Sequence, residues 1–180
     1  MSDASDPYLY PGTDVLENVP GLRGSEQLAA FEAFNTAARI YELLQNPIAG
    51  EFGIAHLKAI HKHVFQDVFT WAGGFRTTLL GKAEYLGQPP IWFTPPPLLA
   101  HEAARIFETL KRAHLLRGLH KVQFAHQAAG LLAEINKLHP FLPGGERPNP
   151  ETFPARASSS GWVRPAFRGR QQGTDGSGEH

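Results

Sequence analysis

The sequence predicts an all-α domain carrying one small β-hairpin. Three observations predict it. Apolar residues recur every three or four positions in four separate stretches, and residues suited to strands are confined to one Gly- and Pro-marked interval mid-chain. The chain of 180 residues, 42% of them hydrophobic, is also long enough to bury a core as one domain.

The chain opens with an arm, residues 1–24. Pro11-Gly12 and Pro20-Gly21 punctuate it around the apolar pair Val15-Leu16, so it reads as ordered but not helical. Gly24 or Ser25 can cap the first helix. Over 26–45, Leu28, Phe31, Phe34, Ala38, Tyr41 and Leu44 lie three and four apart, which predicts one inward helical face ended by Asn46-Pro47. A second helix is predicted over about 54–65, with Ile54, Leu57, Ile60, Val64 and Phe65 inward. The run 67–74 then brings aromatics to the turn Gly73-Gly74. Residues 76–80, with their Thr pair, and 91–93 can form two short strands about a Gly- and Pro-rich tip, with the register open. After Pro95-Pro96-Pro97, helical patterning runs over 98–116 and again over 122–138, where Phe124, Ala128, Leu131, Leu132, Ile135 and Leu138 form a stripe. At about 1.5 Å per residue the last helix spans roughly 25 Å, enough to cross a small core and present His139 at its end.

Beyond Phe141 aliphatic residues nearly vanish and Gly, Pro, Ser and Arg take over. Such a composition buries too little apolar area to offset its ordering entropy, so 143–180 is expected to be a disordered, non-native tail behind the helical domain 25–142.

Composition excludes several functions. Seventeen basic residues balance seventeen acidic ones, so neither nucleic acid nor a membrane surface is an expected partner. With no cysteine there is no disulfide framework, Cys-ligated metal or thiol nucleophile. No leader pattern or long apolar run is present, which predicts a cytoplasmic protein; secretion into a host cell stays open. Nine histidines invite a metal site, but His56, His61 and His63 do not share a helical face and read as boundary residues. His101-Glu102-Ala103-Ala104-Arg105 imitates a zinc helix, yet has Arg where the second His belongs.

The stretch that carries chemistry is Lys137-Leu138-His139-Pro140-Phe141-Leu142-Pro143-Gly144-Gly145-Glu146-Arg147. A lone His at a helix end is ordinarily a cap favoured by the dipole. Followed by Pro140-Phe141, however, it resembles the opening of the Fic (fido) signature HPFx(D/E)GNGRxxR. The likeness extends along the chain. Asp6-Pro7-Tyr8 with Tyr10-Pro11-Gly12-Thr13-Asp14-Val15-Leu16, then His61-Lys62 through Phe65, Asp67-Val68-Phe69, Trp71-Ala72-Gly73 and Arg76-Thr77 are similar to bacterial Fic proteins of the cell-filamentation type. So are Leu115-Leu116-Arg117-Gly118-Leu119 and Glu134-Ile135-Asn136-Lys137-Leu138, giving a resemblance over 6–141.

That resemblance implies a helical adenylyltransferase that moves AMP from ATP onto a Ser, Thr or Tyr hydroxyl of a target protein. His139 would be the general base, a task suited to an imidazole. Gly144 and Arg147 would hold phosphate oxygens, and Phe141 would anchor the loop. A target-docking flap maps onto Arg76, Thr77, Thr78, Leu79, Leu80 and Lys82, pairing with the target by strand addition. Mg²⁺ is expected of the family, but its ligand is missing because Pro143 stands at the acid position. Gly145, Glu146 and Pro150 likewise replace Asn, Gly and the second Arg. Residues 13–18 match a self-inhibitory Ser/Thr-x-x-x-Glu-Gly/Asn helix, although the flanking Pro-Gly pairs leave at most two turns, and a separate small antitoxin chain is the expected inhibitor. The alternative to an impaired enzyme is an inactive Fic-like interaction module.

A shifted reading frame would explain the broken signature. Residues 141–147 can be encoded as TTC CTG CCT GGA GGG GAA CGG, in which CCTG occurs twice in tandem. Removing one copy gives Phe-Leu-Glu-Gly-Asn-Gly, and the same frame through Gly161 permits Arg-Thr-Gln-Arg-Leu-Phe-Leu-Arg-Glu-Leu-Ala-Ala-Gln-Ala. This completes the signature and adds a helix-patterned segment. The rival is a domain that diverged and lost its chemistry.

Overall fold

The computed structural model describes residues 6–82 and 91–142. It contains helices α1 (Ser25–Gln45), α2 (Ile54–Phe65), α3 (Leu99–Arg112) and α4 (Lys121–Leu138) and one antiparallel hairpin of β1 (Gly81–Lys82) with β2 (Ile91–Trp92). The predicted class is therefore the observed one, a helical domain with a small hairpin. The expected disorder of 143–180 and the flap tip at 83–90 lie outside the described residues.

The arm folds as a loop laid on the core. Leu9 and Leu16 form an antiparallel bridge, and Tyr8, Val15 and Leu16 are buried. Buried Asn18 holds the exit: its amide donates to the carbonyls of Leu16 and Leu22 at 2.8 and 2.7 Å, and its oxygen accepts from the Leu22 N–H at 2.7 Å. Residues 13–18 form a bend, the bridge residue Leu16 and irregular chain, not a helix.

Helix α1 is capped by Gly24 and buries Leu28. Its Arg39 forks onto Asp67 beyond α2, Nε to Oδ2 at 2.6 Å and Nη2 to Oδ1 at 3.0 Å. The inward face expected from Phe34, Tyr41 and Leu44 is a misreading, since these residues are 76%, 64% and 72% exposed. Apolar residues spread beyond one face of the helix, and the core formed with the arm and the end of α2 covers only Leu28 and Phe31. Likewise Leu132 of α4 is exposed, while Leu138 is buried and Leu131 and Ile135 pack on the core.

Helix α3 is the most regular, burying Leu99, Ala103, Ile106 and Leu110 on one face. It ends at Arg112, short of the expected 116, because His114, Leu115 and Leu116 take positive φ (51°, 57° and 60°) in a separate 3₁₀ turn. No α-helix can pass through left-handed residues. The first expected strand also moves: 76–80 is irregular, and pairing begins at Gly81 opposite Trp92.

The core has two parts. One gathers Tyr8, Val15, Leu16, Leu28, Val68, Phe69 and Leu142; the other gathers Leu99, Ala103, Ile106 and Leu138. An aromatic column joins them. Phe65, packed on the first part, stacks on His61 (4.6 Å between centroids), His61 on Phe141 (4.0 Å), and Phe141 meets Phe75 of the second part at 6.0 Å. Phe141→Ala should thus destabilise the domain by about 2–4 kcal/mol, below the full cost for a buried Phe because the ring is only half-buried. Urea denaturation measures this, and a loss under about 0.5 kcal/mol, the range of a surface change, would show that the column is incidental.

Candidate functional site

The site begins at the end of α4. Pro140 has no N–H and cannot extend the helix. His139 ends it as a left-handed cap (φ 43°, ψ 61°), its N–H donating to the Ile135 carbonyl at 3.0 Å. Positive φ in a non-glycine residue costs on the order of 1–3 kcal/mol and persists only where its surroundings fix it.

Arg76 does the fixing. Its side chain is among the most buried of the described residues, at 2% exposure. Nε donates to the His139 carbonyl at 2.7 Å, Nη1 to the Thr78 carbonyl at 2.8 Å, and Nη2 to the carbonyls of Thr94 and, at 3.4 Å, Leu138. The Arg76 backbone N–H donates to the Pro140 carbonyl at 3.0 Å. One guanidinium therefore ties the C-terminal end of α4, where the dipole favours a cation, to the irregular segments that lead into and out of the hairpin. The Thr94 N–H adds a bond to the Lys137 carbonyl at 3.3 Å.

The imidazole of His139 lies flat on buried Phe93, centroids 4.1 Å apart and planes 14° apart. Phe93 is fixed in turn by its N–H on the Leu80 carbonyl at 3.0 Å. The ring is thus set against the base of the hairpin.

The structure separates the flap residues. Arg76 cannot present its side chain to a target, because it is buried and engaged beneath the hairpin; this corrects the expectation that it belongs to a docking face. Thr77 is held by the arm, its N–H donating to the Tyr8 hydroxyl at 3.0 Å and its own hydroxyl 3.0 Å from the same oxygen. Thr78 supplies a carbonyl to Arg76, and Leu80 is buried. Leu79, Ile91 and Trp92 expose apolar side chains. Lys82 is in β1 opposite Ile91. Pro143, Gly144 and Arg147 lie outside the described residues.

Two roles were not visible in the sequence. His61 is no ordinary boundary residue: between Phe65 and Phe141 it also accepts the Gly73 N–H at 2.9 Å on Nδ1. Burial pushes its pKa down to about 4. The Arg76 clamp is the other, and no motif signals it. Arg105, which broke the zinc-helix pattern, binds Glu102 at 2.8 Å and Glu134 at 2.7 Å, joining α3 to α4.

Known proteins resemble this chain in sequence and in fold. The Fic/DOC family model matches residues 51–147, more than half of the chain. The "Probable protein adenylyltransferase y4lH" of Sinorhizobium fredii is 41% identical over 143 residues, covering 79% of this chain and 70% of that protein. The N-terminal Fic domain of a VirB-translocated effector from Bartonella sp. AR 15-3 superposes with TM-score 0.68 at 28% identity, covering 76% of this chain and 65% of that one. A Fic domain of a VirB-translocated effector from Bartonella quintana, with bound ADP, gives 0.67 at 25% identity, covering 79% and 71%.

Both the clamp and the buried imidazole can be tested. Arg76→Met keeps the stem but leaves several carbonyls without their donor, and should cost about 3–5 kcal/mol in denaturation; an unchanged midpoint would mean that the clamp is idle. For His61, the depressed folded pKa means that stability is fully present above the unfolded value of about 6.5 and is lost as pH falls towards 4. Its ring resonances in NMR should titrate near 4, and a midpoint at 6 or above would contradict the packing described.

Proposed function

The chain belongs to the Fic/DOC family, and from that premise we propose that its domain is built to transfer AMP from ATP to a hydroxyl of a protein target, with His139 as general base. The observation that carries this reading is the placing of His139. Its backbone is locked by Arg76 and its ring is set on Phe93 at the root of the hairpin. A target segment lying along that hairpin would bring its hydroxyl to the imidazole, so that proximity and proton removal come from one scaffold. The exposed apolar side chains of Leu79, Ile91 and Trp92 are the surface offered to such a segment. Curated relatives named protein adenylyltransferase and the ADP-bound relative support the nucleotide side of the reading.

Phosphate handling is where this chain falls short. Gly144 and Arg147 match the signature, and the Arg147 guanidinium and Gly144 N–H would bind phosphate oxygens. Mg²⁺ does not fit the residues present: Pro143 offers no carboxylate, and no cluster of possible ligands occurs among the described residues. No step is therefore assigned to a metal. Glu146 also adds a negative charge beside the phosphates. These changes impair rather than redirect the chemistry. They equally favour a second reading, an interaction module whose hairpin still docks a partner. A small inhibitory protein chain belongs to either reading. Among the described residues no helix is long and apolar enough to cross a membrane.

The test is labelling with α-³²P-ATP and Mg²⁺, comparing this chain with a variant in which the residues from Pro143 on are replaced by the shifted-frame sequence that restores the signature. Losing one charge-stabilising donor typically costs about 10²–10³ in rate, so this chain should label itself or a target slower by roughly 10³-fold or more. In the restored product, His139→Ala should abolish labelling with little change in melting temperature. Labelling that survives His139→Ala would refute the assignment of the base.

A further inference from the structure

Among the described residues, helix α4 packs against only two other helical elements, α3 and the 3₁₀ turn at 114–116. The side turned to the core carries Leu131, Ile135 and Leu138. On the far side Val122, Ala125, Ala129 and Leu132 are exposed, Val122 by 72% and Leu132 by 66%. At 3.6 residues per turn these four fall within about 80° of one another, centred roughly 130° around the helix from the buried side. A helix face left to solvent normally carries charges. Here none of residues 122–133 is Asp, Glu, Lys or Arg.

Two properties make this face complementary to itself. The first is its order of side-chain sizes, which is the same read from either end: large, small, small, large, at intervals of three, four and three. In a pair related by a twofold axis, residue i of one copy meets residue j of the other, and j meets i. An axis at Gln127 therefore sets Val122 against Leu132 of the second copy and Ala125 against its Ala129. The alanines let the two backbones approach where the helices cross, and the branched side chains close the seam on either side. The second property is electrostatic. An antiparallel pair sets the positive end of one helix dipole beside the negative end of the other. The face brings no acidic or basic side chains together, and the formal net charge of the chain is zero, so no general repulsion keeps two copies apart.

We propose that this chain associates with a second copy through α4, antiparallel, about a twofold axis at Gln127. His139 lies twelve residues from that axis, so at about 1.5 Å per residue the two imidazoles stand roughly 36 Å apart along the helices. Each keeps its own hairpin, and both candidate sites face outward from the seam. A single helix pair makes a small interface, so the dissociation constant should fall at about 10–100 µM. The inference rests neither on AMP transfer nor on a shifted reading frame.

Sedimentation velocity on the full chain from about 5 to 500 µM reads the association directly. The weight-average mass should rise from the 19.8 kDa of one chain towards twice that value. Ala129→Glu places a carboxylate from each copy in the middle of the seam and should weaken association at least about 10-fold. Its Tm should move by no more than about 1–2 °C, because the position is exposed in the single chain. Should that variant lose its helical signal, Leu132→Gln on the same face replaces it. Phe34→Glu, on the exposed side of α1, should leave association unchanged. Since the chain has no cysteine, orientation is tested by mild oxidation. A mixture of Val122→Cys and Leu132→Cys should cross-link, whereas Val122→Cys alone should not, its two copies being ten residues or about 15 Å apart along the seam. A chain that stays monomeric throughout would overturn the proposal, as would a mass rising past the dimer. So would association lost in Phe34→Glu but kept in Ala129→Glu, or a cross-link in Val122→Cys alone, the mark of a parallel pair.

Discussion

The structure depends on one buried guanidinium. Arg76 touches all three parts of the site: the end of α4, the segment entering the hairpin and the segment leaving it. Helix ends leave carbonyls without intrahelical partners, and here those carbonyls fall at the residue proposed as the base. A cation at that end offsets the dipole, and the fork geometry of Arg satisfies several acceptors that a Lys ammonium could not span together. His139 and the hairpin are in this way fastened to each other. A shift in one is felt by the other.

Around this clamp, aromatic stacking performs the second task of holding the loop down. Phe141 comes directly after Pro140 and is held by His61 and Phe75, so the chain's direction after His139 is set within two residues. Desolvation keeps His61 neutral, which suits a ring that acts as a packing surface and hydrogen-bond acceptor. Two imidazoles are thus placed in opposite ways, His61 between aromatic rings inside the fold and His139 at a helix end beside the hairpin.

Much of the fold was legible because periodicity is local. The bounds of α2 and α4 come from the spacing of Ile54, Leu57, Ile60 and Val64 and of Leu131, Ile135 and Leu138, and Gly/Pro punctuation marked the arm. Which stripe of α1 faced inward was not legible. With Phe31 and Phe34 both apolar and three apart, periodicity marks stripes without saying which has a neighbour, and that is a property of the whole domain. His139 could be singled out from its Pro-Phe sequel; Arg76 could not, since its partners are backbone carbonyls that carry no sequence signature. The hairpin began later than the Thr pair suggested because 76–80 is committed to Arg76 and Tyr8 instead of to a strand partner.

The scaffold therefore keeps its contacts up to Leu142, and the departures from the signature begin only beyond it. The family match likewise ends at Arg147, within six residues of the compositional change. Divergence would be expected to erode scaffold and loop together, whereas a duplicated CCTG spares everything before it. The nucleotide sequence across codons 141–147 tests this most directly. A duplication requires CTG for Leu142 followed by CCT GGA for Pro143 and Gly144. A Gly144 codon ending in any base other than A, which cannot give Glu in the shifted frame, would contradict it.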